Sequence, residues 1–315
     1  MINQVEDVVR IPLPVGEEFF IKKHHIESAG DYKKKRICIV TGIHGDELEG
    51  QFVCYEVSRR IKELESALDG IIDIYPSMNP FGMDSVTRGI PAFDLDMNRI
   101  FPGNFEGDMN EYLAAKIIEE LKGADLVIDI HASNIFLTEI PQIRINELDQ
   151  DSLLPIALKS NMDLIWIHGA STVLESTLAY SLNSTGTKTL VIEMGVGMRI
   201  TRDYGMQLTD GIFSMMAELG IWNAIPPLCK NPMVSYDSHG TEVCYLNAPC
   251  SGIYIKEKDH GSHVDKHELI GKIISPMTGT ILSYIEAPES GILFTVREYP
   301  VVEDGSLMGR ILKDK

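Results

Sequence analysis

The stretch "ICIVTGIHGDELEG", residues 37–50, decides how the chain folds. Ile37 to Val40 form a short apolar run rich in β-branched side chains, which reads as a buried strand. The chain then gathers His44, Asp46, Glu47 and Glu49 into the turn that follows. Leu48, Phe52, Val57, Ile61, Leu64 and Leu68 recur at spacings of three to five, so an amphipathic helix is expected through "DELEGQFVCYEVSRRIKELESAL".

The same alternation extends outward. "IIDIYPSMNP", "DLVIDIHAS", "DLIWIHGAS" and "KTLVIEMG" repeat the strand signal, while "NEYLAAKIIEELKG" and "RDYGMQLTDGIFSMMAELG" carry the helical period and stop at a glycine. Strands apolar on both faces, alternating with helices, imply an α/β domain whose mostly parallel sheet is covered by helices. After about residue 225 the texture changes. "NAIPPLCKNP" reads as a linker, and beyond it short apolar pieces are separated by Gly, Pro and Asp. The expected division is therefore an α/β domain over 1–230 and a small all-β domain over 231–315. "APCSGIYI" and "EAPESGIL" form a weak internal repeat in the latter. "ISPMTGTI" resembles the turn of biotinyl and lipoyl carrier domains, which implies a barrel-like architecture, but "EAPES" leaves no lysine where a carrier needs one.

With 46 acidic against 28 basic residues and a formal charge of −18, the surface repels phosphate backbones and anionic lipid, so neither nucleic acid nor membrane is an expected partner. No basic segment precedes an apolar one in "MINQVEDVVRIPLP", and no run reaches the length of a membrane span, so a cytoplasmic protein is expected. The five cysteines are scattered and lack a C-x-x-C pair; they read as reduced, mostly buried small hydrophobes.

Three strand signals each deliver a titratable group at or just past the C-terminal end: His44, His131 and Glu193. Open α/β sheets bind ligands at that edge. His44 and Glu47 stand three apart, a spacing that lets an imidazole and a carboxylate converge on one cation, and His131 supplies a third donor. Two nitrogens and one carboxylate, with a fourth position open, is the pattern of catalytic zinc. Between residues 84 and 104, Asn98 and Arg99 stand side by side and suit a carboxylate, Arg99 bidentately; Arg88 is a second cation in that loop. Arg144 is placed to meet an acidic side chain of a substrate. His168 reads as a structural histidine, and His260, His263 and His267 as a turn cluster rather than a second metal site.

"GIHGDELEG", "DLDMNRIFPG", "DIHAS" and "VIEMG", in this order over residues 42–195, resemble the succinylglutamate desuccinylase and aspartoacylase family of zinc carboxypeptidase-like amidohydrolases. The resemblance implies a three-layer catalytic domain and a C-terminal β domain leaning over the cleft. It implies one zinc per chain on His44, Glu47 and His131, Glu193 as general base, and Asn98 and Arg99 on the substrate carboxylate. It further implies that Arg88 polarises the scissile carbonyl and that Asp96 orients a ligand histidine. The expected activity is hydrolysis of the amide of a small N-acyl amino acid or related metabolite. A metallocarboxypeptidase is the alternative, and a non-catalytic zinc-containing binding protein the third. A homo-oligomer is left open.

Overall fold

The computed structural model describes residues 1–91, 93–169, 175–237 and 239–314. The last two residues of the strand signal "DLIWIHGAS", at 170 and 171, lie outside the described residues. Nine strands precede residue 240: β1 (Ile2–Pro12), β2 (Glu18–Glu27), β3 (Arg36–Thr41), β4 (Ile71–Tyr75), β5 (Leu126–Ala132), β6 (Leu137–Asn146), β7 (Leu164–His168), β8 (Thr189–Gly195) and β9 (Met233–Asp237). The helices are α1 (Glu49–Glu63), α2 (Pro80–Ser85), α3 (Met109–Leu121), α4 (Gln150–Ala157), α5 (Leu178–Asn183) and α6 (Arg202–Glu218). Among the described residues, no helix is long and apolar enough to cross a membrane.

One large sheet runs β1-β2-β4-β3-β5-β8-β6, parallel from β4 through β3 and β5 to β8 and antiparallel at β1-β2, β2-β4 and β8-β6. The period of two along each strand assigns its faces. In β3, Ile37 and Ile39 pack into one core with Val53, Val57 and Ile61 of α1 and Leu208 and Ile212 of α6. Cys38 and Val40 enter a second core with Leu113 and Ile117 of α3 and Leu178 and Leu182 of α5. Helices thus cover both faces, giving three layers. Each fully buried Ile or Leu contributes about 1.5–3 kcal/mol.

The helical period was expected to reach Leu68, but α1 stops at Glu63. Leu64 turns out of helical conformation (φ −141°), and a 3-10 turn, Glu65–Ala67, carries Leu68 back into the core. All five cysteines are unbridged; Cys38 and Cys54 are buried and the other three half-buried.

After residue 240 the elements among the described residues are all strands: β10 (Val243–Asn247), β11 (Gly252–Lys256), β12 (His263–Val264), β13 (Leu269–Ser275), β14 (Thr280–Glu286), β15 (Gly291–Arg297), β16 (Val301–Val302) and β17 (Leu307–Lys313). They divide between two sheets. β14-β13-β11-β16 make a separate antiparallel sheet, whereas β15, β17, β10 and β12 extend the large one. The junction is β6. Its first residues pair with β15 and its later ones with β7, which in turn pairs with β9.

Candidate metal centre and active site

The chain leaves β3 through Gly42, whose φ of +69° suits glycine, and then passes Gly45, where a Cβ would lie 2.0 Å from the backbone of Gly82 in α2. That close approach brings His44 and Glu47 inward ahead of α1. Of the four ionisable groups in the turn, Glu49 is engaged elsewhere, since its Oε2 accepts the Thr201 N–H at 2.7 Å and ties down the start of α6.

His131 lies on β5 and Glu193 directly opposite on β8. Leu190, Ile192 and Met194 fill the α1/α6 core, so Glu193 points to the other face. His44, Glu47 and His131 are all buried and offer ligand atoms within 4.8 Å of one another, the one such group of His, Cys, Asp or Glu among the described residues. Both imidazoles turn Nδ1 towards Glu47, His44 at 2.8 Å from Oε1 and His131 at 3.0 Å from Oε2. Both present Nε2 to a second carboxylate: His44 at 2.9 Å from Asp96 Oδ1 and His131 at 3.1 Å from Asp129 Oδ2. A carboxylate facing Nε2 favours the proton there, leaving the Nδ1 lone pairs for a cation.

This donor set fits a divalent metal. His44 Nδ1 is buried without a hydrogen-bond partner. Arg88 meets Glu47 and Asp96, and Asp129 lies against His131, so with both imidazoles neutral three carboxylates stand against one guanidinium, an excess of negative charge that a dication would offset. Burial disfavours a charged Glu47, yet the two imidazoles hold its carboxyl well below the usual range. His44 and Arg88 do the same for Asp96 against its own burial.

The connection after α2 supplies the next layer of side chains. Arg88 donates from Nη1 to Glu47 Oε1 at 2.9 Å and from Nε and Nη2 to Asp96 Oδ2 at 3.3 Å. Asp96 Oδ1 also accepts the Asn98 N–H at 2.9 Å. The Asn98 side-chain carbonyl accepts the Leu178 N–H at 2.8 Å, which fixes the orientation of its amide. Arg99 is exposed, donates to the Asn98 carbonyl at 2.7 Å, and has no ion-pair partner among the described residues.

Arg144 lies on β6 beside Glu193, its Nη1 at 3.1 Å from Glu193 Oε1 and its Nη2 on both oxygens of Glu139 at 2.8 and 3.0 Å. Its guanidinium is thus engaged by two carboxylates of the chain itself. Burial pushes the Glu193 carboxyl up to about 7 against the pull of Arg144. A cavity of about 250 Å³ joins these groups, with His44, Glu47, Arg88, Asn98, Arg99 and Glu193 all in its lining. His168 also lines it and donates to the Gly169 carbonyl. The three C-terminal histidines do not converge: His260 pairs with Tyr204, His263 with Asp314, and His267 is exposed.

Residues 33–219 match the model of the succinylglutamate desuccinylase/aspartoacylase catalytic domain. The chain belongs to that family. Among curated relatives, N-alpha-acetyl-L-2,4-diaminobutyric acid deacetylase of Halomonas elongata is 24% identical over 270 residues, covering 82% of this chain and 76% of that protein. The product-bound ectoine utilization protein EutE (DoeB) of Ruegeria pomeroyi superposes with a TM-score of 0.83 at 18% identity, over 98% of this chain and 95% of that one. A metallo-carboxypeptidase of Burkholderia cenocepacia shares the fold more distantly, with a TM-score of 0.53 at 13% identity over 68% of this chain and 63% of that one. The family member described here thus has a mixed α/β, carboxypeptidase-like fold with an added antiparallel sheet.

Sequence reasoning missed Asp129, Glu139 and Arg310. Asp129 was legible: D-x-H on one strand places both side chains on the same face. Glu139 and Arg310 lie 171 positions apart, and only the pairing of β6, β15 and β17 joins them.

Proposed function

We propose that this chain is a zinc-dependent deacylase that hydrolyses the amide bond of a small N-acyl amino acid, with one zinc on His44, Glu47 and His131. The observation that carries this reading is the meeting, in one cavity, of a buried His-Glu-His donor set, the carboxylate of Glu193 and the guanidinium of Arg99, which has no ion-pair partner among the described residues. Zinc suits two imidazoles and one carboxylate; when bound it polarises the amide carbonyl and lowers the pKa of water towards ~7. Glu193 takes the proton from the attacking water and delivers it to the leaving amine, a transfer suited to a carboxyl near 7. Three of the five N–H bonds of Arg88 are engaged by Glu47 and Asp96, and we assign the remaining two to the charge developing on the amide oxygen. Asp96 and Asp129 hold the imidazoles of His44 and His131 in the tautomer that frees Nδ1.

Asn98 and Arg99 take the free carboxylate of the substrate, Asn98 through its amide N–H groups and Arg99 as a charged fork. The related deacetylase acts on an N-acetylated amino acid, in keeping with this assignment. The cavity of about 250 Å³ lies below the ~300–1,000 Å³ of sites for drug-sized ligands, which favours a small substrate. We assign the C-terminal strands, from residue 231 onward, to the wall that restricts the cleft, since Arg310 lines it. The shared fold with a metallo-carboxypeptidase makes C-terminal trimming of peptides the second reading, through the same carboxylate clamp.

The test is turnover by the zinc-loaded protein on a panel of N-acetyl and N-succinyl amino acids beside short peptides. Hydrolysis of the N-acyl amino acids is expected. Turnover of peptides alone would reverse the order of the two readings, and stoichiometric metal without any hydrolysis would leave a binding protein.

A further inference from the structure

Glu139 is fully buried, with 0% of its surface exposed, and it is not left alone. Arg144 Nη2 reaches both of its oxygens, Arg310 Nη1 donates to Oε1 at 2.7 Å, and Thr295 Oγ1 donates to the same oxygen at 3.0 Å. Glu139, Thr295 and Arg310 are cross-strand neighbours on β6, β15 and β17, so the pleat sets their side chains in one row. Arg144 joins that row through an irregularity. Five residues separate it from Glu139, which would put the two on opposite faces of a regular strand. Between them, however, β6 takes three steps, from Glu139 to Gln142, where β8 takes two, from Gly195 to Glu193. The extra residue is a bulge, and it brings Glu139 and Arg144 to the same side.

The geometry points to Arg310 and Glu139 as positioning residues for the general base: together they hold Arg144, and Arg144 holds Glu193. This rests on the reading of Glu193 given above. A guanidinium is a rigid plane, so fixing its Nη2 edge on Glu139 also fixes where Nη1 lies, 3.1 Å from Glu193 Oε1 in an ion pair. Trp166 adds a second restraint, with its ring 5.7 Å from the Arg144 guanidinium and 5.8 Å from that of Arg310. The buried Nε atoms of both arginines make no hydrogen bond; beyond Glu139 and the indole, Arg310 reaches Thr295 Oγ1 at 3.4 Å and lies 5.7 Å from the Tyr245 ring. Without Arg310, Glu139 keeps one cation for its buried charge and is drawn further onto Arg144, away from Glu193. A displacement of about 1 Å in a catalytic group lowers rates on the order of 100-fold.

The experiment uses the full-length, zinc-loaded protein and the N-acetyl amino acid that the parent turns over fastest. Arg310→Met is expected to lower kcat by about 10- to 100-fold, with KM within about threefold of the parent and metal content unchanged, and Arg310→Lys to recover most of the loss. In a Glu193→Gln background, Arg310→Met should lower the residual rate by no more than about twofold, because its effect passes through Glu193. A crystal structure of Arg310→Met should show the Arg144–Glu193 contact broken, a readout that needs no turnover. An unchanged kcat, a rise in KM at constant kcat, independent multiplication of the two losses, or an intact contact in that crystal structure would each overturn the inference. Parental activity in Glu193→Gln alone would instead overturn the reading of Glu193. Should Arg310→Met fail to fold, Thr295→Val removes a single donor to Glu139 and is read in the same way, with a three- to tenfold loss in kcat supporting the inference and none overturning it.

Discussion

At the His44 end of the cavity three carboxylates surround two imidazoles and one guanidinium; at the Arg310 end two carboxylates alternate with two guanidiniums. With its imidazoles neutral, the first cluster is short of positive charge. The second closes on itself, Glu193 and Glu139 against Arg144 and Arg310. Charge imbalance in a buried site marks a place for a cation, whereas balance marks a scaffold that holds a reactive group still. Removing a side chain from the first cluster should therefore show up in metal binding. Removing one from the second should show up in rate.

The sharpest way to break that contrast is Glu193→Gln, which keeps shape and removes the ability to accept a proton. Turnover is expected to fall by about 10²- to 10⁴-fold with zinc content unchanged by elemental analysis. Loss of metal along with activity would join the two clusters into one. His131→Ala attacks the other side: with one of three protein donors gone, zinc affinity should drop at least ~100-fold, read by competition with a chromophoric chelator. Stoichiometric, tight zinc in that variant would remove His131 from the ligand set.

Arg99 belongs to neither cluster; it is exposed with no ion-pair partner among the described residues, and its proposed hold on the substrate sharpens the comparison. Arg99→Ala should lower kcat/KM on the order of 30- to 100-fold for a substrate with a free α-carboxylate and change the matched α-amide little. Equal losses on both would move Arg99 from the clamp to the fold. The smallest effect is expected of Asp129→Asn, which keeps the side chain's shape and removes the charge 3.1 Å from His131 Nε2. Zinc affinity should fall by about tenfold, the low end for a residue behind a ligand, and calorimetric titration of the metal-free protein would measure it. Unaltered affinity would make the Asp129–His131 contact incidental.

The sequence made the His44 cluster legible because each of its parts is local. His44 and Glu47 share a turn, His131 and Glu193 end apolar strands, and the loop around Asp96 carries its charges in a short run. The same strands set the order of layers, since alternate residues of β3 and β5 fill two different cores. The Arg310 cluster was invisible for the opposite reason. β6 reads "LTEIPQIRIN", with a proline inside it and Glu139 and Gln142 both at 0% exposure, so it lacks the apolar run that marks a strand. The buried charge of Glu139 meets Thr295 and Arg310 more than 150 positions later, and the buried Gln142 amide makes no hydrogen bond among the described residues. The hairpin β1-β2 escaped notice because β1 is largely exposed and carries little apolar alternation. A division at residue 230 followed the change in texture, but pairing of β15 with β6 and of β9 with β7 runs one sheet through it.

That shared sheet has a consequence in time. Ribosomes extend a chain at about 5–20 residues per second, so the 171 positions between Glu139 and Arg310 represent on the order of 10–30 s of synthesis. During that interval a nascent chain holds His44, Glu47, His131 and Glu193 but lacks the strands that flank Glu139. Chains arrested on the ribosome without residue 310, and with it extended clear of the ribosome by an appended linker, should therefore differ in hydrolysis, although the residues assigned to zinc, proton transfer and the carboxylate clamp are present in both. On the role inferred above for Arg310, the order of translation sets, through one distant arginine, the moment at which the cavity is complete.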